Sequence, residues 1–364
     1  MLALLASCSS KPSGKEPAEL KNFKETASID VRWKRNVGLI DKAGLQPVIT
    51  RDAVYVANAD GELFRLDPIT GKKVWKFDIG FKISGAVGAG EGLIVVGGLK
   101  SELAAYDEDG SLRWFTKVSS EVLSPPQIAD GMVVVRTSDG RISALSVQDG
   151  KRQWLYERAT PTLIVRNHAG VVIRRGVVYA GFAAGKLAAI KLTNGALIWE
   201  SAVSQPRGNT ELERISDITS LPAVDGESVC AVAFQGRLAC FDNKQGVMLW
   251  SRDVSSDKGL TLARNYLYVS DADGTVFAMD KTSGSTLWKN DQLFLRKVSA
   301  PYVLDKYVVV GDFEGYLHVL SREDGSLVAR IRTDGSPIEF APVMLGKGLA
   351  LQTLDGSVYS IEIN

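Results

Sequence analysis

The side chains that most often carry chemistry are scarce in this chain, with three cysteines and two histidines among 364 residues. Cys8, Cys230 and Cys240 have no spacing that suits a zinc site or a disulfide framework. Cys230 and Cys240 flank a hairpin turn at Gln235-Gly236. A two-residue turn there sets Cys240 opposite Ala231, so the two thiols are expected on opposite faces, as small buried apolar groups. His318 shares a repeat column with Phe64, Phe277 and Tyr359 and reads as a packing residue, while His168 follows a loop at the start of a strand. No serine, histidine and aspartate fall into an arguable triad. The Gly-rich stretch "GAVGAGEG" (85–92) joins two strands and precedes no helix, which excludes a dinucleotide loop. Most aspartates stand in turns, where they cap the local backbone. The expectation is a protein with no catalytic residues, no metal and no cofactor.

The elements that would position any site come from a repeat. Aligning on glycine gives "DGELFRLDPITGKKVW" (60–75), "KSELAAYDEDGSLRW" (100–114), "DGRISALSVQDGKRQW" (139–154) and "AGKLAAIKLTNGALIW" (184–199). "QGRLACFDNKQGVMLW" (235–250), "DGTVFAMDKTSGSTLW" (273–288), "EGYLHVLSREDGSLVA" (314–329) and a clipped "DGSVYSIEIN" (355–364) complete eight copies. Each reads as four short antiparallel strands around Gly turns, and a period of about 40 residues predicts an all-β, eight-bladed β-propeller. An aliphatic column (Leu63, Leu103, Ile142, Leu187, Leu238, Val276, Leu317, Val358) and a small column (Ala105, Ala144, Ala189, Cys240, Ala278, Ser360) share strand parity and should face a neighbouring blade. Arg65 and Val319 interrupt the small column, and Ala329 replaces the tryptophan of the other units. The last unit lacks its outer strand; "SIDVRWKRNV", with Trp33 in the tryptophan column, should supply it and close the ring.

Composition places the rest. Lys and Arg total 43 against 42 Asp and Glu, so no net field draws the chain to nucleic acid. The start, "MLALLASCSS", is an apolar run ending in Leu5-Ala6-Ser7-Cys8, which resembles a bacterial lipobox with Cys8 as the lipidated residue. It lacks a cationic beginning and reads as a truncated signal segment, residues 1–7. Residues 8–26, rich in Lys, Glu, Pro and Ser, read as a flexible tether ahead of a propeller at 27–364.

The repeat resembles that of pyrroloquinoline-quinone (PQQ) dehydrogenases, which are also eight-bladed, but the chain has no adjacent cysteine pair and no long inserted loops. Lipobox, tether and bare propeller together are similar to the propeller lipoproteins of the outer-membrane β-barrel assembly (BAM) machinery, over the whole chain. That resemblance implies a non-enzymatic scaffold, lipid-anchored at the periplasmic face of the outer membrane. It would bind the POTRA domains of BamA, and unfolded outer-membrane proteins are a further candidate partner. The specific segments are "TLIVRNHAG" (162–170) and "GNTELERISDITSLP" (208–222). In that family a Leu-x-Leu-Arg loop and two acidic residues spaced i, i+2 contribute to BamA binding, which points here to Leu163, Val165, Arg166 and Asp217. Thr219 stands where the second acidic residue would be. Both segments are inter-blade connections, where binding on a rigid scaffold concentrates. On the residues alone, Leu163 and Val165 could instead end a blade-three strand or plug the ring. A quinoprotein oxidoreductase and a periplasmic ligand-binding propeller are the competing function classes.

Overall fold

The computed structural model describes residues 16–40, 45–159, 161, 163, 165, 169–206, 208–210 and 212–364. Its strands form eight four-stranded antiparallel sheets. Seven are continuous in sequence; blade one, for example, comprises Val48–Ile49, Val54–Ala57, Glu62–Leu66 and Lys73–Asp78. The eighth takes Val343–Leu345, Gly348–Gln352 and Ser357–Ile363 from the C-terminus and Ile29–Asn36 from near the N-terminus. Ile29 pairs with Ile363 and Asn36 with Ser357, so the ring closes as the repeat predicts.

The core is not a single mass. It is divided into eight apolar wedges, each shared by two consecutive blades. The wedge across the closure contains Trp33 and Val358 of blade eight with Val54 and Val56 of blade one. The aliphatic column is fully buried, and Leu103 and Ala105 share one wedge, as their parity requires.

All seven tryptophans occupy the outer-strand column and perform the same task. Each indole donates its Nε1–H to a carbonyl of the next blade, from Trp33 to Pro68 (3.1 Å) and onward through Trp75, Trp114, Trp154, Trp199 and Trp250 to Trp288, which reaches Arg322. The ring of Trp33 lies on Gly71, where φ is +64° and a Cβ would overlap the indole. Glycine is required there twice, for the left-handed backbone and for the close approach. Ala329 now has a physical reason. The turn on which a blade-seven tryptophan would rest is missing from blade eight, because the two chain ends meet there. Ser28 and Asn364 exchange backbone hydrogen bonds at 3.1 and 3.0 Å instead. Thr26 and Ala27 both donate to the Val328 carbonyl, covering blade seven with backbone where other blades use an indole.

The tryptophan-free edge is held by the segment expected to be a flexible tether. From Ala18 onward it is docked on blades six and seven. Ala18 donates to Phe294 O at 2.9 Å, and Leu20 packs against the wedge between these blades. Arg296 Nη1 donates to Ala18 O (3.0 Å), Arg330 Nη1 donates to Lys21 O (3.2 Å), and the Arg330 guanidinium lies 4.9 Å from the Phe23 ring centroid. Behind them is a buried network. Arg296 Nε and His318 Nε2 reach the same Asp312 oxygen at 2.8 and 2.9 Å, and Arg330 Nε donates to His318 Nδ1 at 3.2 Å. An accepting Nδ1 makes His318 the neutral Nε2–H tautomer. His318 is therefore more than the packing residue its column suggests.

The turn length expected for the hairpins is corrected. Asn58 N–H bonds Glu62 O and Ala233 N–H bonds Arg237 O, leaving three residues in each loop rather than two. The extra residue shifts the register by one, so Cys230 pairs with Cys240 and Ala231 with Ala239. The thiols lie on one face, not opposite faces, and form a fully buried disulfide.

Two outcomes follow from this packing. Trp33→Ala removes an indole that is 8% exposed and its hydrogen bond, and should cost roughly 3–5 kcal/mol in denaturant unfolding. An unchanged midpoint would show that the seam does not depend on this residue. Burial, with lesser contributions from Arg330 and Arg296, holds the His318 pKa below its ordinary value against the opposing pull of Asp312. The folded state then resists a proton that the unfolded chain accepts. Stability is full above the unfolded pKa, about 6.5, and falls below it by at most ~1.4 kcal/mol per pH unit until the folded pKa is reached. Chemical unfolding at pH 7, 6 and 5 should show this slope in the native chain and a shallower one in His318→Gln, with His168 present in both.

Candidate functional site

Strand alternation puts the inter-blade connections and the turns between second and third strands on one face of the ring. The connections 157–170 and 203–222 both lie on it, and Asp217 ties them together. Its Oδ2 accepts from Val165 N (2.8 Å) and its Oδ1 from Ala184 N (3.0 Å), while its own carbonyl accepts from Phe234 N (2.8 Å). One aspartate thus joins the three-to-four connection, the blade-four turn and the blade-five turn. With 3% exposure, Asp217 has both oxygens engaged within the chain. Its place in the site is to fix the loop that carries Leu163 and Val165.

Those two residues differ. Leu163 is 41% exposed, whereas Val165 is half-buried at the mouth of the central channel. The mouth is a cavity of about 470 Å³ to which seven of the inter-blade connections contribute, with Val165, Leu221, Phe234, Leu260 and Phe340 forming its apolar wall. Part of the plug reading therefore applies to Val165. Thr219 is 7% exposed, and its hydroxyl donates to Asp257 O at 3.4 Å, tying the next connection inward. Arg166 and His168, like Cys8, lie outside the described residues.

The four-to-five connection folds on itself. Glu213 accepts from Asn209 N (2.7 Å) and Thr210 N (3.1 Å), and Thr210 Oγ1 accepts from Glu213 N (3.2 Å), a reciprocal capping box. This turn presents Leu212, 68% exposed, and Leu221, 39% exposed, lies further along the same connection. Sequence reasoning missed both. The Thr210-x-x-Glu213 spacing was the available signal, since a compact turn leaves an intervening leucine with nowhere to be buried.

Among the described residues no group of three His, Cys, Asp or Glu side chains could hold a metal ion, and no helix is long and apolar enough to cross a membrane. What this face offers is exposed leucine on braced loops above an apolar mouth, carried on a propeller of the PQQ type. The family model for "Outer membrane protein assembly factor BamB" matches residues 59–290. A BamB from Nitrosomonas eutropha is 44% identical over 349 residues, covering 96% of this chain and 85% of that protein. The chain belongs to the BamB family of outer membrane protein assembly factors. The crystal structure of BamB from Moraxella catarrhalis superimposes with a TM-score of 0.85 at 26% identity, covering 92% of this chain and all of that one. A quinohemoprotein alcohol dehydrogenase from Pseudomonas putida gives 0.76 at 12% identity, covering 94% and 78%, which shows a shared fold alone. The protein is an assembly factor rather than an oxidoreductase.

Asp217→Ala should leave two backbone donors without their acceptor and destabilise the fold by about 2–4 kcal/mol. Proteolysis within 157–170 should accelerate in the same variant. Equal stability and equal protection would show that the carboxylate does not brace this connection.

Proposed function

We propose that this face docks the periplasmic POTRA domains of BamA, with Leu163, Val165 and Arg166 in the contact and Asp217 holding their loop in place. The observation that carries the reading is the Asp217 tie, because it fixes the backbone at Val165, two positions from the exposed Leu163. A braced loop loses less entropy on binding than a free one. Leu212 and Leu221 extend the apolar surface, and the arginine fork of Arg166 suits a carboxylate on the partner.

Lipidation at Cys8 would anchor the protein at the periplasmic side of the outer membrane. The buried Cys230–Cys240 disulfide supports that compartment, since such bonds form and persist where the surroundings are oxidising. The scaffold would then hold POTRA domains, and unfolded barrel strands with them, close to the membrane. No cofactor enters this function.

Arg166→Glu should weaken binding to isolated POTRA domains by at least ~2 kcal/mol, roughly thirtyfold, by combining loss of the donor fork with like-charge repulsion. The melting curve should be unchanged. Native affinity in the folded variant would remove Arg166 from the contact.

A further inference from the structure

Two half-buried arginines with unpartnered N–H groups lie beside this loop. Arg136 ends the second strand of blade three, and Arg158 follows that blade's outer strand, at the root of the three-to-four connection. Each guanidinium carbon is 5.0 Å from the centroid of the Phe182 ring, so the two are no more than twice that apart. Phe182 itself belongs to the braced turn, since its carbonyl accepts from Ile218 N at 3.1 Å and Ala184 is tied to Asp217.

Both cations are only partly compensated. Arg136 has no ion pair and no hydrogen bond among the described residues, and its Nη1 is buried without a partner. Arg158 Nη1 is likewise buried and unpartnered, and its Nη2 reaches Glu200 only at 3.6 Å. Burial, opposed by the carboxylate of Asp217 and aided by the like charge of Arg158, lowers the Arg136 pKa to about 10. Asp217 acts on Arg136 through its charge alone, since its two oxygens are turned to backbone N–H groups. A half-buried guanidinium left in this state destabilises the fold unless an anion arrives from outside. Both side chains keep some exposed surface, 19% for Arg158, through which a carboxylate can approach.

We propose that Arg136 and Arg158, gathered on Phe182, form a cationic seat for a carboxylate side chain of the partner protein. The inference rests on the reading of this face as the partner-binding one, and the seat is continuous with the loop that carries Leu163. The occupant is acidic because two guanidiniums set against one ring disfavour any cation, and each matches a carboxylate in charge and planar geometry. The ring keeps the two forks oriented while unoccupied, so little ordering remains to be done on binding.

The test uses the full propeller and isolated POTRA domains of the cognate BamA, reading affinity and melting temperature together. Arg136→Met keeps an apolar stem on Phe182 and removes the charge. Binding should fall at least about tenfold while the melting temperature holds or rises, because a half-buried, only partly compensated charge has been removed. Arg158→Met should act in the same direction, and Arg136→Lys should recover part of the affinity by restoring the charge. A variant that binds like the native chain overturns the seat and leaves the docking face intact. A variant that loses binding together with melting temperature assigns the pair to packing and also overturns it. Absence of binding by the native chain would overturn the docking face first.

Discussion

Every blade of this ring is completed by the next, so the fold depends on the one place where completion is not covalent. Ile29–Asn36 pairs with Ser357–Ile363 and joins residues more than three hundred positions apart. Remove that pairing and blade eight loses its outer strand, Trp33 loses its seat on Gly71, and the wedge between blades eight and one opens. With the core divided among eight inter-blade wedges, no single blade has an apolar interior of its own to fall back on. The absence of a tryptophan at Ala329 belongs to the same constraint. Every indole but that of Trp75 rests on a glycine in the turn ahead of it, and at blade eight the meeting of the N-terminal and C-terminal strands takes the place of that turn.

Much of this was legible in the sequence because repeats multiply a weak signal. A hairpin glycine, an aliphatic residue and a tryptophan at fixed offsets are ambiguous once and decisive when they recur around the ring, the glycine and the tryptophan each in seven of eight units. The misreading at Cys230 and Cys240 has a local cause. Glycine serves a two-residue turn and the last position of a three-residue loop equally well, so it fixes where the chain reverses and not how many residues it uses. One residue of slip exchanges the two faces of a strand, and that exchange separates two buried thiols from a disulfide. Residues 16–26 misled for another reason. Their composition is that of a solvated linker, and what docks them is largely their own backbone, which composition does not report.

The candidate site shows a related division. Family resemblance singled out Leu163 and Asp217, and the structure gives Asp217 a task its residue type does not suggest. An aspartate in a loop segment reads as an exposed acceptor, but here it is satisfied by two backbone N–H groups. Arg136 carries no local mark at all. It follows three valines at the end of an ordinary strand, and its lack of a counter-ion exists only once blade four brings Phe182 against it. Charge imbalance of this kind belongs to tertiary placement, and a chain whose totals nearly cancel conceals it well.

The docked strap gives the molecule a defined response to force. Tension arriving from the residues before Glu16 does not reach the Ile29–Asn36 strand directly. It first meets the Ala18–Phe294 bond, then the Arg296 and Arg330 side chains, and then the paired donations of Thr26 and Ala27 to Val328. These contacts follow one another along the chain, and the two arginines connect them to the buried Asp312 and His318 inside blade seven. The strap would peel, one contact after another, while the seam stayed shut. Any load applied at the N-terminus of the propeller is thereby taken up ahead of the seam, as a cable is clamped ahead of its plug.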